Sequence, residues 1–162
     1  MKVNIALLTV TDTRTIDNDK SGGILVNKFK EANHNLIERK ICKDNKDDIV
    51  VILREWLKNE KVDVIITTGG TGLTGRDITP EALNEVAEKH IPGFGEIFRN
   101  ISIKTVGTSA IQSRACAVLS NGKYIFALPG SSGGVTDAWE GILKHQLDIN
   151  HKPCNFVELF PR

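Results

Sequence analysis

Short apolar runs bounded by turn residues alternate along the chain with longer segments of helical periodicity. The run at residues 3–10 carries consecutive apolar residues from Ile5 to Leu8, as expected of a central strand covered on both faces. Similar runs predict further strands over residues 36–42, 62–68 and 124–128. Strands that alternate with helices are typical of a parallel sheet with crossover connections. The pattern therefore predicts an α/β fold with a mostly parallel sheet.

The clearest amphipathic helix follows the second predicted strand. Its apolar positions recur at helical spacing: Ile49, Ile52, Leu53, Trp56 and Leu57. Asp44 or Asn45 is placed to cap this helix. Thr79, followed by Pro80 and Glu81, predicts another helix start. Together the patterns predict helices over residues 21–32, 45–58, 79–90, 96–103, 109–118 and 135–147.

Length and composition favour one domain spanning residues 1–162. A chain of 162 residues with 40% hydrophobic and 25% charged residues can bury one sizeable core. The 21 basic and 20 acidic residues leave a formal charge of +1, which offers no broad attraction for nucleic acid or an anionic membrane. A small, locally charged ligand fits this balance better.

The N-terminal apolar segment is too short for a signal peptide or a membrane span. Cys42, Cys116 and Cys154 are odd in number and far apart, so they indicate neither a disulfide framework nor a zinc site. We therefore expect a cytoplasmic protein with reduced thiols and no membrane partner.

Four distinctive loops follow predicted strands. They read TDTRTIDNDKSGG, KDN, GGTGLTGRD and PGSSGG. In an open α/β sheet, ligands bind outside the carboxyl ends of the strands, where such loops converge. If the strands are parallel, all four loops lie at one edge, and that edge is the candidate site.

The loop at residues 69–77 approaches two nucleotide-binding motifs without matching either. Gly70, Gly72 and Gly75 give the spacing G-x-G-x-x-G after a strand, but Arg76 and Asp77 precede the predicted helix start. The same two residues replace the Lys and Ser/Thr of a P-loop. A nicotinamide-dependent oxidoreductase remains an alternative that depends on these three glycines alone.

Glycines without Cβ atoms let backbone N–H groups approach an anion, and a following helix adds a favourable dipole. PGSSGG repeats this arrangement before the last helix. One such loop is explained equally well as a tight turn. Two at the same edge favour a ligand with several phosphates, or two phosphorylated ligands.

Three acids lie just beyond predicted strand ends: Asp12, Asp44 and Asp77. Carboxylates beside phosphates are explained by a divalent cation between them, most simply Mg²⁺. The alternatives are that Asp44 caps a helix and Asp77 forms an Asx turn. Arg76 either clamps phosphate or faces water.

The motifs resemble those of the MoaB/MogA family of molybdenum cofactor biosynthesis proteins, and most of all the bacterial MoaB branch. The matching segments occur in the family's order: TVTDTR with DKSG, TTGGTGLTGRDITPEA, PGFGEIFR, SRA and LPGSSGG. The resemblance implies a single three-layer αβα domain that binds molybdopterin and forms a homo-oligomer, either a trimer or a hexamer.

Catalytic members of the family transfer AMP from Mg²⁺-ATP to the terminal phosphate of molybdopterin and release pyrophosphate. The resemblance implies that Asp44 and Asp77 are the catalytic acids and Mg²⁺ ligands. It implies nucleotide and molybdopterin contacts at Asp12, Ser21, Gly69, Gly70, Thr71, Gly72, Arg76, Thr79, Pro129, Gly130, Ser131 and Ser132. The alternative is a non-catalytic oligomeric protein that binds or carries molybdopterin.

Overall fold

The computed structural model describes residues 1–161. The strands are β1 (Asn4–Val10), β2 (Asn35–Cys42), β3 (Val64–Thr68), β4 (Lys89–His90), β5 (Cys116–Ser120) and β6 (Lys123–Leu128). The helices are α1 (Lys20–Glu31), α2 (Lys46–Lys58), α3 (Thr79–Val86), α4 (Pro92–Val106), α5 (Ser132–Ala138) and α6 (Lys144–Gln146). A π-helical turn, Trp139–Leu143, joins α5 to α6, and 3-10 turns occupy Ile16–Asn18, Gly107–Gln112 and Val157–Leu159.

The strands form one sheet in the order β2-β1-β3-β6-β5-β4. The first four of these are parallel, with Leu7 opposite Ile66 and Ile66 opposite Phe126. β5 runs antiparallel to both β6 and β4. The predicted mostly parallel sheet is confirmed, and its parallel strand ends share one edge.

Helices cover both faces of the sheet, because the central strands are apolar on both sides. Leu7, Ile66 and Phe126 face a core built with α1, α4 and α5. Leu8 and Ile65 face a second core built with α2 and α3. The three-layer αβα architecture is therefore as expected.

The prediction of a helix over residues 109–118 is wrong. A 3-10 turn ends at Gln112, and β5 begins at Cys116. The residues from Cys116 to Val118 suit a strand because they pair with β6 and lie between the two helical layers. Periodicity alone does not separate a short buried strand from a buried helical segment. The helix from Thr79 also ends earlier than predicted, at Val86, before the short β4.

Cys42 and Cys116 are half-buried free thiols, and Cys154 is exposed and free. Burial raises the pKa of Cys42 to about 12 and that of Cys116 to about 11, so both are protonated packing residues at neutral pH. Among residues 1–161, no helix is both long and apolar enough to cross a membrane.

Candidate functional site

Four loops leave the parallel strands at the same edge of the sheet. The glycine loop (residues 69–77) follows β3, and the serine loop (residues 129–132) follows β6. Asp12 lies after β1, and Asp44 lies after β2. Because the strands are parallel, the sequence prediction that these loops converge is met.

Two cavities open at this edge, on either side of the contact between the two loops. The small cavity, of about 240 Å³, lies between Thr9, Ser21 and Ser131. The wide cavity, of about 670 Å³, lies between the glycine loop, α4 and the start of α5. A Cβ on Gly130 would lie 3.3 Å from Gly69 Cα, so the two loops are in close contact at these glycines.

The first half of the glycine loop is fixed against the elements below it. Gly69 and Gly70 have φ angles of 103° and 71°, which favour glycine. A Cβ on Gly69 would strike the Val10 carbonyl, and one on Gly70 would strike the Thr79 hydroxyl. Thr79 is fully buried, and its hydroxyl donates to the Gly69 carbonyl over 2.9 Å. Thr79 thus supports the loop from beneath and does not cap α3 with its side chain.

Asp77 closes the second half of the loop. Its Oδ2 accepts hydrogen bonds from the Thr74 N–H at 2.9 Å and the Thr74 hydroxyl at 2.8 Å. Burial acts to raise the pKa of Asp77, but these bonds and one from Gly72 outweigh it, so the pKa lies below its ordinary value. Asp77 also lines the wide cavity. The loop therefore presents an ionised carboxylate at its end.

Asp44 stands on the other side of the loop, and a Cβ on Gly70 would lie 3.2 Å from its Oδ1. Asn45, not Asp44, caps α2, accepting from the Asp48 N–H over 3.1 Å. Burial and the charges of Asp12 and Asp77 raise the pKa of Asp44, and the positive charge of Arg76 offsets them only in part. Asp44 is thus a carboxylate whose surroundings favour a nearby cation.

Asp12 and Arg76 form an ion pair at the mouth of the site. The Arg76 guanidinium donates through Nε at 3.0 Å and Nη2 at 2.9 Å to the Asp12 carboxylate. Asp12 also accepts from the Asp44 N–H at 3.1 Å. The Asp44 N–H and Arg76 lower the pKa of Asp12. The Arg76 side chain is 66% exposed, as the alternative of a solvent-facing arginine predicts, and it pairs with Asp12.

The serine loop is anchored by the strands beside it. The Thr68 hydroxyl donates to the Pro129 carbonyl at 2.8 Å and lies 3.2 Å from the Ser21 hydroxyl. Ser131 caps α5 by accepting from the Gly134 N–H at 3.0 Å. Ser21 and Ser131 line the small cavity with Ser132, while Pro129, Gly130 and Ser131 line the wide one.

Arg114 also reaches this edge, although the loops that follow the predicted strands do not include it. It precedes β5, whose antiparallel direction brings its first residues beside the carboxyl end of β6. The guanidinium donates to the Gly72 carbonyl at 2.8 Å and the Asp77 carbonyl at 3.0 Å, and pairs with Glu81. Because the sequence pattern predicts a helix over residues 109–118, it does not indicate that an antiparallel strand over residues 116–120 brings Arg114 to this edge.

The residues at this edge fit a divalent cation in part. Asp44 and Asp77 supply carboxylate oxygens of the kind Mg²⁺ prefers, on two sides of one loop. No group of three or more His, Cys, Asp or Glu residues placed to hold a metal occurs in the described part of the chain. Mg²⁺ commonly takes one or two carboxylates and completes its shell with substrate phosphates and water, which matches this donor set.

Comparisons with known proteins place the chain in a family. Residues 6–148 match the model of a family described as a probable molybdopterin binding domain. The chain belongs to this family, which confirms the resemblance read from its motifs.

Within this family, the chain is similar to proteins named molybdenum cofactor biosynthesis protein B or MoaB. The chain is 43% identical over 152 residues to molybdenum cofactor biosynthesis protein B of Escherichia coli (strain K12), covering 94% of this chain and 89% of the relative. A crystal structure of a molybdenum cofactor biosynthesis protein B superposes with a TM-score of 0.88 at 41% identity, covering 91% of this chain and 92% of the other. The tungsten cofactor synthesizing protein MoaB from Pyrococcus furiosus superposes with a TM-score of 0.79 at 33% identity, covering 89% and 92%.

Proposed function

We propose that this protein acts in molybdenum cofactor biosynthesis by transferring AMP from ATP to molybdopterin. An oxygen of the terminal phosphate of molybdopterin attacks the α-phosphorus of ATP. The new P–O bond forms as the bond from the α-phosphorus to the bridging oxygen of the β-phosphate breaks, and pyrophosphate leaves. Because the attacking phosphate is ionised at neutral pH, the reaction requires no general base.

The observation that supports the proposal is the position of two acids on either side of the glycine loop. Asp44 lies against Gly70, and Asp77 lies against Gly72. Backbone N–H groups of such a loop suit phosphate, but carboxylates repel it. The raised pKa of Asp44, caused by burial and by Asp12 and Asp77, fits a site completed by positive charge.

Asp44 and Asp77 would hold Mg²⁺ here. The ion would supply charge neutralisation between the carboxylates and the triphosphate. The protein's own contribution is placement: the glycine loop fixes the phosphates, and the ion pair of Asp12 with Arg76 keeps the Asp44 backbone beside the loop. Positioning and electrostatic stabilisation together account for most of the catalysis of phosphoryl transfer.

The wide cavity suits the pterin. Its volume of about 670 Å³ falls within the range of small-molecule sites. Phe98, Val106 and Ala110 give it an apolar wall, and Asp137 adds a polar group. The serine loop separates this cavity from the small one, whose hydroxyl-rich lining suits phosphate oxygens.

A second candidate function is molybdopterin binding without transfer. It is supported by the hydrogen bonds that Thr74 donates to Asp77, because a carboxylate that closes its own loop already has a structural role. Both functions use the same cavities. They differ in whether ATP is cleaved.

Transfer of label from α-labelled ATP to molybdopterin separates the two. We expect Asp77→Asn to abolish transfer and to remain folded, while Asp47→Asn, exposed in the first turn of α2, retains wild-type transfer. Full transfer by Asp77→Asn would contradict the role proposed for this acid. Binding of molybdopterin by the wild type without any transfer would establish the second function.

We also propose that the protein is a homo-oligomer, a trimer or a hexamer. Phe94 and Phe98 are buried in the core and are therefore not available as contacts between subunits. Exposed apolar side chains lie instead on α4 and the turn after it: Ile97, Ile103, Val106 and Ile111. Light scattering coupled to gel filtration gives the subunit number, and a monomer at micromolar concentration would contradict the proposal.

A further inference from the structure

Arg114 forms hydrogen bonds with three residues of the glycine loop: Thr71, Gly72 and Asp77. Its backbone N–H donates to the Thr71 carbonyl at 2.9 Å. Its guanidinium donates to the carbonyls of Gly72, at 2.8 Å, and Asp77, at 3.0 Å. The third guanidinium contact is the carboxylate of Glu81 in α3. One side chain therefore joins Gly72 in the loop, the end of the loop and the following helix.

The two carbonyls that Arg114 holds belong to residues whose other atoms are packed together. A Cβ on Gly72 would lie 2.7 Å from Asp77 Oδ2, so the Gly72 backbone lies against the Asp77 carboxylate. Residues 73–76 form the part of the loop that connects Gly72 to Asp77. Because the guanidinium binds the carbonyls of both Gly72 and Asp77, it fixes the distance between these two residues. It thereby fixes the position of the Asp77 carboxylate.

Only an arginine can make this set of contacts. The guanidinium is a rigid plane with five N–H donors, whereas lysine offers a single ammonium on a flexible stem. Glu81 is committed to the same arrangement, since its Oε1 pairs with Arg114 and its Oε2 is buried without another partner among residues 1–161. The charge of Arg114 is thereby balanced within the protein and is not directed at a ligand.

We propose that Arg114 is a positioning residue that holds Asp77 in its catalytic place by clamping the carbonyls of Gly72 and Asp77. Its catalytic consequence rests on the proposed adenylyl transfer, whereas the clamp itself does not. Arg114 acts through the loop and does not touch the substrates.

The test compares Arg114→Gln and Arg114→Lys with Lys123→Gln. Lys123 is a matched control, because its ammonium also donates to two backbone carbonyls, those of Asn59 at 2.8 Å and Val62 at 2.6 Å. Lys123 begins β6, so these contacts lie at the opposite edge of the sheet. Its loss removes similar bonds without touching the glycine loop.

Two measurements are made on each variant. Hydrogen exchange of peptides covering residues 69–79 reports the clamp, and label transfer as a function of ATP and Mg²⁺ reports its consequence. We expect both Arg114 variants to exchange faster in this segment. We expect their kcat to fall roughly tenfold to a hundredfold, with a higher Mg²⁺ requirement and a KM for ATP within about threefold of wild type. Lys123→Gln should change neither measurement.

Unchanged exchange in residues 69–79 of Arg114→Gln would overturn the clamp. Full recovery of exchange and kcat in Arg114→Lys would show that charge alone suffices, and would also overturn it. An equal loss in Lys123→Gln would reduce the effect to general stability. If the wild type transfers no label, the proposed function fails, and the exchange data still decide whether Arg114 holds the loop.

Discussion

At the scale of single residues, Asp44 is the group whose surroundings oppose its own charge. It is half-buried, its pKa is raised by burial and by two neighbouring carboxylates, and Asn45 takes the capping role that would have occupied it. Asp44 therefore destabilises the folded state when it is ionised and does not cap a helix. A functional role in the candidate site explains why an acid occupies this position.

Replacing Asp44 should therefore stabilise the protein at neutral pH. Its pKa is raised above the ordinary value of 3.8, so the folded state disfavours the ionised form, and the cost appears as pH rises through that range. We expect Asp44→Asn to unfold at a higher temperature than wild type at pH 7. The difference should shrink as pH falls toward 4.

Scanning calorimetry at both pH values measures this difference. Asp47→Asn is the control, because it removes a favourable charge from the first turn of α2 and should not stabilise. A lower unfolding temperature for Asp44→Asn than for wild type at pH 7 would contradict the claim that ionised Asp44 destabilises the folded state.

Sequence patterns identified the acids of the site but did not decide their partners. Asp12, Asp44 and Asp77 were placed at the correct edge because each follows a parallel strand. The pairing of Arg76 with Asp12 spans the loops after β1 and β3 and depends on tertiary structure. The contacts of Arg114 depend on tertiary structure in the same way, since the three acceptors of its guanidinium belong to Gly72, Asp77 and Glu81, in another part of the chain.

At the scale of elements, the glycine loop combines positions that require glycine with positions that do not. Gly72 and Gly75 lie in the same loop, and neither has the positive φ of Gly69 or Gly70. A Cβ on Gly72 would lie 2.7 Å from the Asp77 carboxylate, but one on Gly75 would meet nothing within 4 Å. The two positions thus offer a matched pair of substitutions.

We expect Gly72→Ala to reduce label transfer by roughly tenfold or more, because the added methyl group displaces Asp77. Gly75→Ala should transfer at the wild-type rate. Steady-state kinetics, with circular dichroism to confirm folding, provide the check. Equal rates for the two variants would show that the approach of Gly72 to Asp77 is unimportant.

Elements with strong local signals were predicted well, and those that depend on pairing were not. β1 and β3 are apolar on both faces, and α2 has a clear amphipathic period and an Asn cap. β5 has only five residues, and its identity depends on its pairing with β6. The same pairing brings Arg114, which directly precedes β5, to the site.

At the scale of the whole molecule, the sheet places every candidate group at one edge. Four parallel strands deliver the glycine loop, the serine loop, Asp12 and Asp44, and the antiparallel β5 adds Arg114. Under the proposed function, backbone N–H groups of the two loops would hold phosphate, and a cation would lie between that phosphate and the acids. The arrangement suits reaction between two phosphorylated substrates.

Pyrophosphate release from ATP, with molybdopterin present and Mg²⁺ varied, is the measurement to make on the wild type and Asp44→Asn. We expect release by the wild type to depend on both Mg²⁺ and molybdopterin. Asp44→Asn should release pyrophosphate roughly a hundredfold more slowly at every Mg²⁺ concentration and still bind molybdopterin. Release at the wild-type rate by Asp44→Asn, or none by a wild type that binds molybdopterin, would contradict adenylyl transfer at this site.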